Sequence, residues 1–139
     1  KDQAARQEEK YLRLAAEYDN FRKRTAKEKE AIWNDAKADA ALAFLPVYDN
    51  LERALKQETA DEAYKKGVEM TMNQLKTVLE KLGITEIEAL GQPFDPALHN
   101  AVMHIEDENF GENTVAEVFQ AGFRLGDKVV RFAMVKVAN

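Results

Sequence analysis

Apolar or small side chains recur at steps of three and four near the start of the chain, at Tyr11, Leu14, Tyr18, Phe21 and Thr25. They continue more loosely through Ile32, Ala36, Ala40 and Ala43. That is the period of a helix with one greasy stripe. After Thr25 the stripe drifts, with Lys29 on the seam, towards the eleven-residue spacing that needs little supercoil. Residues 1 to 44 contain no Gly and no Pro and are rich in Ala, Glu, Lys, Arg and Gln, all strong helix formers. The pattern predicts one long helix over 1–44. A lone helix has nothing of its own to cover such a stripe, so a second copy is expected to pair with it through Leu14, Tyr18, Phe21, Thr25 and Ile32. The stripe is thin and rich in Ala, which predicts weak pairing that frays on warming.

Pro46 interrupts this pattern, because it removes a backbone donor and crowds the preceding turn. A second, short helix is predicted beyond it, with Phe44, Val47, Tyr48, Leu51, Ala54 and Leu55 on one face. Gln57 to Asp61 read as a turn, and Thr59 with Glu62 has capping-box spacing for a third helix. Its apolar face is Tyr64, Val68, Thr71, Met72, Leu75, Val78, Leu79 and Leu82, and Gly83 stands where a C-terminal cap belongs. Two short amphipathic helices per chain, doubled in a dimer, would make a four-helix bundle. Leu51, Leu75 and Leu79 are its expected interface.

After Gly83 the period changes. β-branched residues and alternation predict strands at Ile84–Ala89, Val102–Ile105, Thr114–Gln120, Phe123–Leu125 and Lys128–Val137. Gly126-Asp127 suits a two-residue hairpin loop. The predicted class is α+β, divided into 1–44 (dimerising helix), 45–83 (two short bundle helices) and 84–139 (β-domain).

Charge and composition narrow the function. Charged residues are 32% of the 139 and the net charge is −5, which does not favour nucleic acid or an acidic membrane surface. Up to Lys56 there are 12 basic and 11 acidic residues, and from Gln57 onward 8 and 14, so the acidic excess lies in the second part. There is no Cys, hence no disulfide frame and no thiolate chemistry. No apolar run approaches the roughly 20 residues that span a bilayer. The chain opens at Lys1, already inside helical pattern, and reads as a piece trimmed from a longer protein.

Five blocks then stand out in order: Glu17–Thr25 (EYDNFRKRT), Phe44–Leu55 (FLPVYDNLERAL), Gly67–Thr71 with Leu79–Gly83, Phe94–His99 (FDPALH) with Thr114–Val118, and Val130–Val135 (VRFAMV). In order and spacing they closely resemble the GrpE family, from about Tyr11 to Val137. The resemblance implies a parallel homodimer with a paired long helix, a four-helix bundle and a compact β-domain. It implies a nucleotide exchange factor that binds the ATPase domain of a DnaK-type heat-shock chaperone, opens its cleft and promotes ADP release, with a part in the heat-stress response. It also implies a cytoplasmic setting, bacterial or, as the alternative, an organelle matrix. No cofactor, no metal and no catalytic residue is expected. Two departures are visible: family members often have Pro where this chain has Phe132, and a basic residue where it has Ala121.

The residues expected to meet the partner are Arg22, Arg53, Gly67, Phe119, Lys128 and Arg131. Each has a bland reading beside it. Arg22 lies in a basic stretch with acids interleaved, which equally suits a solvated helix face. Arg53 could be ordinary surface. Gly67 could serve close helix packing. Phe119 follows Val118, and strict alternation cannot bury both on one face. Lys128 and Arg131 bracket the last hairpin. His99 with Asp95 could suggest a hydrolase, but no nucleophile or Gly-rich cradle accompanies them, so a hydrogen-bonded turn is the expected role. A coiled-coil adaptor with a β recognition head is the other alternative.

Overall fold

The computed structural model describes all residues from Lys1 to Asn139. It contains two helices, α1 (Asp2–Leu55) and α2 (Glu62–Lys81). Six strands follow: β1 (Ile84–Glu86), β2 (His99–Ile105), β3 (Thr114–Gln120), β4 (Phe123–Leu125), β5 (Lys128–Arg131) and β6 (Ala133–Ala138). The chain separates into two compact units, Lys1–Ala36 and Lys37–Asn139.

The expected helix break at Pro46 is not there: α1 runs uninterrupted through it. Proline inside a helix costs about 3 kcal/mol. Leu45 before it and Tyr48 two residues after it are 1% and 3% exposed, and burying each such side chain returns about 1.5–3 kcal/mol. Burial on both sides of the proline therefore offsets its cost. Three predicted helices thus become two.

The first unit is helix alone. Tyr11, Leu14, Tyr18, Phe21 and Ile32 all lie more than half exposed, and Thr25 is half-buried.

The second unit carries the core. Ala41, Leu45 and Tyr48 of α1, Met72 and Leu79 of α2, and Ile84, Ala121 and Phe123 form one buried cluster, with Leu51, Leu55, Leu75, Leu125 and Val130 packed against it. Phe44 and Val47, expected on the inner face, remain exposed, as do Tyr64, Val78 and Leu82 of α2. The apolar stripe of each helix is wider than the surface its own chain supplies. The cap of α2 also differs from expectation. Asp61, not Thr59, is the N-cap, its Oδ1 accepting the Tyr64 N–H at 3.1 Å, while Thr59 Oγ1 accepts the Asp61 N–H. Gly83 follows the last helical turn with φ +81°, the left-handed cap conformation that glycine adopts without strain.

The strands form two three-stranded sheets, ordered β1-β4-β5 and β2-β6-β3. The first is antiparallel throughout. In the second, β6 lies between a parallel β2 and an antiparallel β3. The predicted single strand Lys128–Val137 splits at Phe132: β5 completes the first sheet and β6 the centre of the second. Ile84–Ala89 shortens to Ile84–Glu86, and β2 begins at His99, not Val102. The Gly126-Asp127 hairpin holds, with φ +58° at Gly126, the first loop position at which a type II′ turn takes glycine. Ala89, Val115, Ala133, Val135 and Val137 make a second core beneath β6, flanked by Phe94 and Val118.

Candidate functional site

Helix α1 places Arg22 one turn from Asp19. Arg22 Nη2 and Lys23 Nζ each lie 3.0 Å from that carboxylate. The hydrogen bond and charge of Lys23, then the bond from Arg22, hold the Asp19 carboxyl below the ordinary carboxylate range. Arg22 stays 69% exposed. Exposed pairs of this kind contribute little, so the guanidinium can be given up to another carboxylate at small cost. Arg53 is also exposed and donates from Nη1 to Asn50 Oδ1 at 3.2 Å.

Gly67 lies on the open side of α2. A Cβ there would meet nothing within 4 Å, so within this chain no close helix approach explains the glycine. Its carbonyl accepts the Thr71 hydroxyl at 2.9 Å.

Strand β3 resolves the conflict between Val118 and Phe119. Val118 pairs with Val135 and Gln120 with Met134, leaving Phe119 as an extra residue in a bulge. Val118 packs on the core while its neighbour Phe119 stands 42% exposed, as the opposite facing of adjacent strand residues allows. Lys136 Nζ lies 5.7 Å from the Phe119 ring centroid and 2.9 Å from Glu117 Oε2. Lys128 is exposed at the start of β5.

Arg131 is different. Its side chain is 12% exposed and faces Asp49 of α1, with Nη1 to Oδ2 at 2.8 Å and Nη2 to Oδ1 at 2.6 Å. Its Nε donates to the Ala121 carbonyl at 2.8 Å. Arg22, Arg53, Phe119 and Arg131 therefore each engage a separate partner. Of the expected dimer residues, Leu51 and Leu75 are half-buried against the chain's own core. Leu79 is 5% exposed inside that core and has no free face to offer.

Asp49 was missed by sequence reasoning. The available signal was its position beside Leu45, Tyr48 and Glu52 on one helical face, where an acid needs a partner.

His99 is 4% exposed. Its Nδ1 accepts the Asp95 N–H at 3.1 Å, which leaves the proton on Nε2 to reach the Glu88 carbonyl at 3.2 Å. Asp95 Oδ1 accepts the Ala97 N–H at 2.9 Å. Both ring nitrogens are thus used to tie the 88–99 segment together. No group of three or more His, Cys, Asp or Glu side chains is placed to hold a metal ion. No helix is long and apolar enough to cross a membrane.

These features define an α+β protein whose recognisable surfaces are helix faces and a bulged sheet. The profile of the GrpE family matches residues 1–139, and the chain belongs to that family. It is 57% identical over 131 residues to Protein GrpE of Clostridium beijerinckii, covering 94% of this chain and 63% of that protein. It is 60% identical over 131 residues to Protein GrpE of Clostridium acetobutylicum, covering 94% and 65%. Protein GrpE of Geobacillus stearothermophilus is 48% identical over 133 residues, covering 94% and 60%. The chain spans less than two thirds of the length of these relatives.

Proposed function

We propose that this chain is a nucleotide exchange factor for a DnaK-type chaperone. The observation that carries this reading is the match of the whole chain to the GrpE family. The exposed stripe of the first unit and the uncovered apolar margins of α1 and α2 support a homodimer. Residues up to about 44 would pair the two copies, 45–83 would complete a four-helix bundle, and 84–139 would meet the chaperone. Arg22, Arg53, Gly67, Phe119 and Lys128 are the proposed contacts.

The mechanism is a shift in an equilibrium. The chaperone's ATPase cleft opens and closes, and ADP makes its full contacts only when it is closed. A protein that binds the open form more tightly moves the population towards it, by no more than its differential affinity. Reciprocity follows: ADP must weaken binding of this protein by the same factor that this protein weakens ADP. No bond is made or broken, so no catalytic residue is required. A bacterial cytoplasm and a part in heat stress fit this role.

Stopped-flow release of a fluorescent ADP from a DnaK-type ATPase domain tests the reading. The expected result is acceleration that saturates with added protein. Release at the unassisted rate under saturating protein would overturn it.

A further inference from the structure

The Asp49–Arg131 pair joins α1 to the strands of the second unit. The guanidinium binds both carboxylate oxygens of Asp49, at 2.8 and 2.6 Å, and the Ala121 carbonyl at 2.8 Å. Gln120 Nε2 adds a bond to Asp49 Oδ2 at 3.3 Å. The same guanidinium lies 5.7 Å from the Phe123 ring centroid, and Phe123 meets Tyr48 edge-on at 5.0 Å. One side chain therefore touches α1, the β3–β4 connection and β4. It is also the last residue of β5, one before the chain leaves the first sheet for the second.

A largely desolvated ion pair is weak evidence of added stability, since apolar residues of similar volume often do as well. What the planar fork supplies is direction: a bidentate pair tolerates one orientation, where apolar packing tolerates several. Apolar or aromatic neighbours such as Tyr48 and Phe123 would hold these elements together, but they would not fix their angle.

We propose that Arg131 and Asp49 are positioning residues that hold both sheets at one angle to residues 37–55 of α1. The inference rests on the exchange reading, and it says where differential affinity comes from. A stiff sheet unit fits only one cleft geometry of the chaperone. A loose one follows the cleft as it closes, binds both forms, and shifts nothing.

The test uses the full chain. Since it has no Cys, spin labels can be attached at Glu58→Cys and Glu106→Cys, with labelled chains diluted into unlabelled protein. The unaltered pair is expected to give one narrow distance, and Asp49→Asn or Arg131→Lys a broadened one at unchanged helix content. In the ADP-release assay, either substitution lowers the saturating rate at least about fivefold, the usual size of one coupling step, with little change in the half-saturating concentration. The double variant is no slower than the slower single, because the two act as one unit. Narrow distances in both folded variants would overturn the proposal. So would losses that multiply, or a loss that follows only the half-saturating concentration. If the unaltered protein fails to release ADP, the exchange reading falls, and the label distances still decide whether the joint exists.

Discussion

A Cβ placed on Gly122 would sit 2.4 Å from the backbone nitrogen of Ala133, closer than side-chain carbon approaches backbone. Gly122 lies between β3 and β4, and Ala133 opens β6, so the two points where the chain changes sheet press on each other. Backbone cannot move aside as a flexible side chain can. Gly122→Ala is expected to destabilise the protein by about 3 kcal/mol, at the upper end for overpacking. Urea denaturation should show a lower midpoint with an unchanged slope.

Gly67 presents the opposite case. Open space surrounds it, and it occupies a helix interior without a positive φ. Gly67→Ala should stabilise α2 by about 0.5–1 kcal/mol, read as a higher melting temperature. If the chaperone approaches at this flat spot, the same substitution raises the half-saturating concentration for ADP release while the protein becomes more stable.

Tyr48 carries a pH signature. Burial, and then the Glu86 carboxylate, push its hydroxyl up to about 12 from an ordinary 10.0. Between those values the unfolded chain has released the proton while the folded chain keeps it. Stability is therefore complete below about pH 10 and falls as pH rises towards 12, by about 1.4 kcal/mol per unit at most. Tyr48→Phe should flatten that alkaline decline in chemical denaturation.

His99→Ala removes the acceptor for the Asp95 N–H and the donor to the Glu88 carbonyl. Leaving buried groups unpaired costs about 1–3 kcal/mol each. The variant should melt earlier, yet the folded fraction should release ADP at the unaltered rate.

The stripe of the first unit gives a fifth expectation. Leu14→Asp with Ile32→Asp places two charges on the pairing seam proposed for the dimer. On warming, circular dichroism should show helix loss beginning at a lower temperature, with the near-ultraviolet signal of the aromatic core unchanged until its usual transition.

The ease of reading the chain followed the range of the forces involved. The hairpin at Gly126-Asp127, the cap at Gly83 and the start of β3 at Thr114 depend on residues a few positions apart, and local chemistry announced them. The helix through Pro46 was hidden, because what offsets the proline is burial of Leu45 and Tyr48 against Phe123 and its neighbours. The split of the last strand at Phe132 was hidden for a similar reason: it depends on which sheet each half joins. For the candidate site, the exposure of Arg22 and Arg53 could be anticipated from helical position, whereas the open space at Gly67 runs against the close helix packing its sequence position suggested. The engagement of Arg131 with Asp49 could not, since 82 residues separate them.

The central place of β6 sets an order on biosynthesis. β2 and β3 do not pair with each other; each pairs with β6, which leaves the ribosome after both, and β3 also bonds at Thr114 and Val115 to residues 91–93. The second sheet must therefore wait for β6, while the helices that precede it are free to form as they emerge.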